Sequence, residues 1–158
     1  PVIHQDDFSF KIGKAEMVRE GPDATIVACG VMVKAALDAS ESLAREGIQC
    51  RVLNMATLQP IDAEAIETAA RETGAIVTAE EHLRHGGLGS IVAQVLGERL
   101  PVPLETVALN GYAESGAGGD ERLPDTSSQL PDMGLRRVGD LLEHPDHARH
   151  GSQQAEQG

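Results

Sequence analysis

Residues 78–90, "TAEEHLRHGGLGS", hold two adjacent carboxylates, two histidines and three glycines. Glycines ahead of a helix start can turn backbone N–H groups toward an anion, and Gly86, Gly87, Gly89 and Ser90 have that placement. The stretch lacks the lysine of "GxxxxGK[ST]" and does not fit "GxGxxG", so a tight turn is the plainer expectation. Glu81, His82 and His85 are suitable metal ligands, but they share a turn whose spacing does not make them converge. Glu80 and Glu81 could divide acid and base roles if their environments differed. Consecutive residues at a strand end point to opposite faces, so one is expected to be buried and the other exposed, in charge pairing or at an interface. No "GxSxG" is present, and neither cysteine has a histidine beside it. The residues therefore mark a polar rim, an interface or anion site at Glu80, Glu81, His82, Gly86, Gly87, Gly89 and Ser90, and commit to no reaction.

The elements that must position this rim can be placed by pattern. "ATIVACG" at 24–30 is continuously apolar and ends in glycine, as a parallel strand covered on both faces should be. Val33, Ala36, Leu37, Ser40 and Ala44 then recur at helical spacing until Gly47. "CRVLNMA" is a second such strand, and Pro60 with Asp62 opens a helix that carries Ile66, Ala69 and Ala70 and stops at Gly74. "AIVTAEE" is a third strand, followed by a helix from near Gly89 or Ser90 with Val92, Val95 and Leu96 inward. "PLETVALN" is a fourth. Leu135, Val138, Leu141 and Leu142 mark a last helix after a long polar loop, residues 112–132 included.

Strands alternating with helices give an α/β domain with right-handed crossovers and a mostly parallel sheet. Upstream, "GKAEMVREG" adds an edge strand. Only the short "GPDA" turn separates it from the next strand, so the two are expected to pair antiparallel. The domain is expected over residues 11–143, after a connector at 1–10 and before a disordered tail at 144–158. Ligands of such sheets meet the carboxyl ends of the strands: here Cys29 to Val31, Asn54 to Pro60, and Glu80 to Ser90.

Composition bounds the function. A chain of 158 residues fits one domain, and its only aromatic residues are Phe8, Phe10 and Tyr112, which disfavours stacking on bases. The formal net charge of -12 repels phosphate backbones and anionic membranes, so neither nucleic acid nor membrane is expected as partner. No apolar run approaches the roughly 20 residues of a bilayer span, and no signal-peptide pattern opens the chain; a cytoplasmic protein is expected. Cys29 and Cys50 are too few for a disulfide framework and fit as buried small hydrophobes. The chain opens on Pro1 with the connector-like "PVIHQDDFSF", which suggests a piece of something longer.

Three motifs in fixed order, the "IGKA…REG" hairpin, "LQPID" and "EEH…GGLGS", make the region from about Phe8 to Leu109 resemble the C-terminal domain of transketolase and its thiamine-diphosphate relatives. These include deoxyxylulose-phosphate synthase and the β subunits of 2-oxo acid dehydrogenases. The resemblance implies a three-layer α/β/α sandwich on a five-stranded mixed sheet with one antiparallel edge strand. It also implies partners: pyrimidine- and pyrophosphate-binding domains or subunits of the same enzyme, a homodimer when complete, that hold thiamine diphosphate and a divalent metal. This chain carries no "GDG" cofactor motif with its later asparagine pair, so alone it is expected to bind neither and to be inactive. Glu80, Glu81, His82, Gly86, Gly87, Gly89 and Ser90 match "EEH…GGLGS", and Pro60 and Asp62 match the helix-opening motif. The function implied is an assembly part of a ketol transferase, with a dehydrogenase β subunit, a deoxyxylulose-phosphate synthase or a free-standing small-anion-binding module as alternatives. The acidic insert after "AESG" departs from the family's usual short segment before "YGL".

Overall fold

The computed structural model describes residues 9–109. Five strands and three helices alternate: β1 (Glu16–Arg19), β2 (Ala24–Ala28), α1 (Met32–Arg45), β3 (Cys50–Asn54), α2 (Ala63–Thr73), β4 (Ile76–Leu83), α3 (Leu88–Arg99) and β5 (Leu104–Leu109). All five strands join one sheet in the order β1-β3-β2-β4-β5, with β1 antiparallel to β3 and the other neighbours parallel. The expected last helix at Leu135–Leu142, the 112–132 loop and the 144–158 tail lie outside the described residues, as does most of the connector.

Both faces of the sheet are covered, which is why β2 is buried at all five positions. Ile26, Val52 and Val77 pack with Val33 and Leu43 of α1 on one face. Val27, Leu53 and Ile76 pack with Ile66 of α2 and with Val92 and Leu96 of α3 on the other. The β2–α1–β3 and β3–α2–β4 crossovers run in opposite directions along the sheet, so a constant right hand puts α1 on one face and α2 on the other. The α2 boundaries follow its caps: Asp62 accepts a hydrogen bond from Ala65 N at 3.2 Å, and Gly74 closes the helix in the left-handed region.

One pairing differs from expectation. β1 does pair antiparallel, but with β3 rather than with β2, its neighbour in sequence. Residues 20–23 are not a hairpin turn; they cross the amino end of β3. Asp23 N donates to Gln49 O (3.1 Å) and Gln49 N donates to Asp23 Oδ2 (2.6 Å), tying the crossing down. A Cβ at Gly21 would lie 2.7 Å from Arg51 N and closer still to Gln49 O and the Cys50 carbonyl carbon, so only glycine lets the two backbones approach this closely.

The cysteines are free. Cys50 pairs in register with Ala24, while Cys29 follows Ala28 at the other end of β2, a separation of about 16 Å along the strands. Burial, then the nearby Asp23 carboxylate, push the Cys50 thiol from its ordinary 9.0 to about 11. A raised thiol pKa means the fold favours the protonated form, so stability is full below the ordinary pKa and falls as pH rises through the folded one. Denaturant titrations should show that decline between pH 9.0 and about 11, and Cys50→Ala should flatten it. An unchanged slope in the variant would assign the decline to other groups.

Candidate functional site

The site is assembled where β4 ends and α3 begins. Alternation separates the two glutamates: Glu80 is buried, at 1% exposure, whereas Glu81 is exposed. Glu80 does not point into a cleft. Its Oε2 accepts from Leu88 N at 2.6 Å and its Oε1 accepts from Gly89 N at 2.8 Å. Helix α3 has Gly87 at its N-cap and no side-chain cap of its own, so its first amides would otherwise be orphaned. A carboxylate carried eight residues earlier fills that role and also meets the positive end of the helix.

The glycines follow from this. Gly86 turns the chain at φ 86°. A Cβ at Gly87 would lie 2.7 Å from Glu80 Cδ and 2.9 Å from its Oε1; one at Gly89 would lie 2.6 Å from Thr106 Cγ2 and 3.0 Å from Thr78 Oγ1. The Ser90 hydroxyl accepts from Gly86 N (2.9 Å) and donates to Arg84 O (3.0 Å), closing the turn. Arg84 in turn donates through Nη2 to Thr106 O at 3.1 Å and through its own N to Leu109 O. The amides of Gly86, Leu88 and Gly89 are therefore engaged by groups of the chain itself, and an outside anion would have to displace Glu80.

His82 and His85 are exposed, and His82 Nδ1 lies 3.0 Å from Leu83 O. Among the described residues no group of three or more His, Cys, Asp or Glu is arranged to hold a metal ion. With α3's first amides also taken by Glu80, these residues do not fit a diphosphate with its divalent metal. Cys29 stands beside Glu80 on the next strand, its N donating to Ala79 O. Burial, and then the Glu80 charge, push its thiol up, which keeps it protonated and poorly nucleophilic. An open cleft of about 550 Å³ lies at the amino end of β3, away from the rim, lined by residues that include Met17, Glu20, Arg51 and Glu72. Arg51 Nη1 pairs with Glu72 there at 2.6 Å.

A second cluster brings together two of the sequence motifs, "IGKA" and "LQPID", whose meeting is not among the sequence expectations. Asp62 is 6% exposed. While one oxygen caps α2, Oδ2 accepts from Ala15 N at 3.0 Å. Gly13 N donates to Thr57 Oγ1 at 2.9 Å, and Lys14 pairs with Glu64 (3.2 Å) and Asp62 (3.6 Å). These bonds fasten the stretch entering β1 to the loop before α2. The motifs are legible separately, but Asp62 and its second partner lie 47 residues apart, so their contact is not.

Among the described residues no helix is long and apolar enough to cross a membrane. A family model for the transketolase C-terminal domain matches residues 13–121. The B subunit of the apulose-4-phosphate transketolase of Phocaeicola vulgatus is 48% identical over 108 residues, which are 68% of this chain and 34% of that protein. The 6-deoxy-6-sulfo-D-fructose transketolase subunit SqwH of a Clostridium species is 50% identical over 107 residues, 68% of this chain and 33% of that protein. A solved split-gene transketolase, described as an inactive β4 tetramer, superposes with a TM-score of 0.81 at 40% identity and covers 90% of this chain and 46% of its own. The chain thus corresponds to about a third of the length of these curated relatives. Fold, motif order and family match agree: the chain belongs to the transketolase C-terminal domain family.

Proposed function

We propose that the chain is the C-terminal, assembly part of a cytoplasmic transketolase-like enzyme and does no chemistry by itself. The complete enzyme moves a two-carbon ketol unit from a ketose to an aldose phosphate. Thiamine diphosphate and its metal belong to the pyrimidine- and pyrophosphate-binding domains or subunits, in a homodimer of the complete unit. The observation that carries this reading is Glu80: it is the buried ionisable group of the rim, and both its oxygens are committed to the start of α3. A group so held is structural, and on this reading the exposed Glu81, His82 and Ser90 are the rim side chains that meet a partner domain. Two relatives of nearly equal identity to this chain carry different sugars in their names, which supports sugar choice elsewhere in the enzyme. The relative described as an inactive β4 tetramer supports inactivity without the companion chain.

The test is a chimera in which the chain replaces the matched 108 residues of the Phocaeicola protein, combined with that enzyme's other subunit. Thiamine-diphosphate-dependent ketol transfer is expected from the chimera and none from the isolated chain. An isolated chain that turns over sugar phosphates, or a folded chimera with no transfer activity, would sink the reading.

A further inference from the structure

The face of the sheet that carries α2 is not covered to its edge. Met17 lies opposite Leu53 in register and so shares its face, yet it is 49% exposed while Leu53 is buried. Arg51, two residues before Leu53 on β3, points the same way. Between this uncovered edge, the last turn of α2 and the crossing at residues 20–23 lies the cleft of about 550 Å³, lined by residues that include Met17, Glu20, Pro22, Gln49, Arg51 and Glu72. Small-ligand sites span about 300 to 1,000 Å³, so its size suits one.

Two observations separate the cleft from a mere gap in packing. The first is Arg51, whose side chain is 15% exposed: Nη1 is paired with Glu72 at 2.6 Å, and Nε is buried with no acceptor. A guanidinium carries five N–H donors, and a single carboxylate, itself 52% exposed, does not match them all in a place largely shut off from water. An apolar side chain would serve the fold alone at least as well. The second is the rigidity of the wall. Asp23 N donates to Gln49 O and Gln49 N to Asp23 Oδ2, and Gly21 approaches β3 so closely that no Cβ fits. The cleft is therefore shaped before any ligand arrives, which lowers the ordering cost of binding.

The charges select the ligand. Arg51 calls for a carboxylate, but Glu20 and Glu72 line the same space, and a bare anion would meet both of them on a chain whose formal net charge is -12. A bare cation would meet Arg51. A molecule that carries one charge of each sign matches both. We infer that the cleft binds a small zwitterion of the α-amino acid class, its carboxylate on Arg51, its ammonium on Glu20 and Glu72, and its side chain on Met17 and Pro22. Glu72, half exposed, can turn from Arg51 to the ammonium as the ligand's carboxylate takes its place. The site lies at the amino end of β3, the opposite end of the sheet from the Glu80 rim, so the inference stands apart from the assembly reading.

The test titrates the full chain with L-leucine, whose side chain suits Met17, and with two relatives that each lack one charge, N-acetyl-L-leucine and L-leucinamide. The readout is the backbone amide NMR signals of Gly21, Gln49 and Arg51. L-leucine should shift them with a Kd of about 1 mM or tighter. Each single-charge relative should bind at least about tenfold more weakly, the scale of one lost hydrogen bond to a charged group. Arg51→Gln should abolish L-leucine binding. Glu20→Gln, at an exposed position, leaves the fold intact and should weaken it, so the test holds even where the Arg51 variant does not fold. The absence of any shift with L-leucine overturns the inference. Equal binding of L-leucinamide, which makes this a cation site, overturns it too, as does equal binding of N-acetyl-L-leucine, which makes it an anion site. L-leucine binding unchanged by Glu20→Gln places the ligand elsewhere and overturns it as well.

Discussion

Replacing Glu80 by Gln is expected to lower stability by about 2 to 3 kcal/mol, because hydrogen bonds to a charged partner contribute about 1.5 to 3 kcal/mol each and a helix-end charge about 0.3 to 1. The expected loss stays below their sum for two reasons. The carbonyl of Gln can still accept one of the two amides, and a neutral side chain is cheaper to bury than a carboxylate. Its NH2 group would face the other amide, donor against donor, in a place sealed from water: Glu80 and Leu88 are both essentially inaccessible. In melting temperature this is a fall of about 10 °C for a domain of this size. Local hydrogen exchange should rise at Leu88 and Gly89 before the rest of α3, since those are the amides released. A loss under about 0.5 kcal/mol would be the range of an ordinary surface substitution and would mean that the carboxylate is not what holds α3's first turn.

The same residue shows why part of the site is legible in the sequence and part is not. Strand alternation separates Glu80 from Glu81 whatever surrounds them, so one inward and one outward carboxylate can be read from "AEEH". What the inward one meets depends on the path of residues 84–87, and that path is set by bonds between parts distant in sequence: Arg84 to Thr106 and Leu109, and Ser90 back to Arg84. Motif logic assigns the glycines and Ser90 to an outside anion or partner, since a glycine-rich helix start has the same composition whether its anion is a ligand or a side chain of the chain itself.

The fold is more open to reading, because its signals are periodic and local. Continuous apolar runs, helical stripes and the caps at Asp62 and Gly74 locate four strands and three helices within a few residues. The partner of β1 escapes the sequence for a physical reason: a four-residue link looks like a hairpin unless it is known to pass over another strand, and the mark of that passage is Gly21, one glycine among many.

Gly87→Ala tests the geometry around Glu80 from the other side, and its value lies in the comparison between backgrounds. At φ -92° and ψ -162° Gly87 has a conformation open to any residue, so backbone strain is not the cause of any loss. The cause would be the added Cβ, which falls within 2.9 Å of three carboxylate atoms of Glu80. Those atoms cannot withdraw without releasing the amides of Leu88 and Gly89, so the expected cost is about 2 to 4 kcal/mol, in the range of overpacking with a broken buried hydrogen bond. In a Glu80→Ala background the obstacle is gone, and the same substitution should cost less than about 1 kcal/mol, a coupling typical of residues in direct contact. Gly89→Ala provides the contrast. Its Cβ meets Thr106 and Thr78 on the sheet rather than the carboxylate, so its cost should persist when Glu80 is removed. If Gly87→Ala and Gly89→Ala respond alike to the loss of Glu80, the carboxylate is not the group that excludes a side chain at position 87, and the turn owes its glycines to the packing of α3 on the sheet instead.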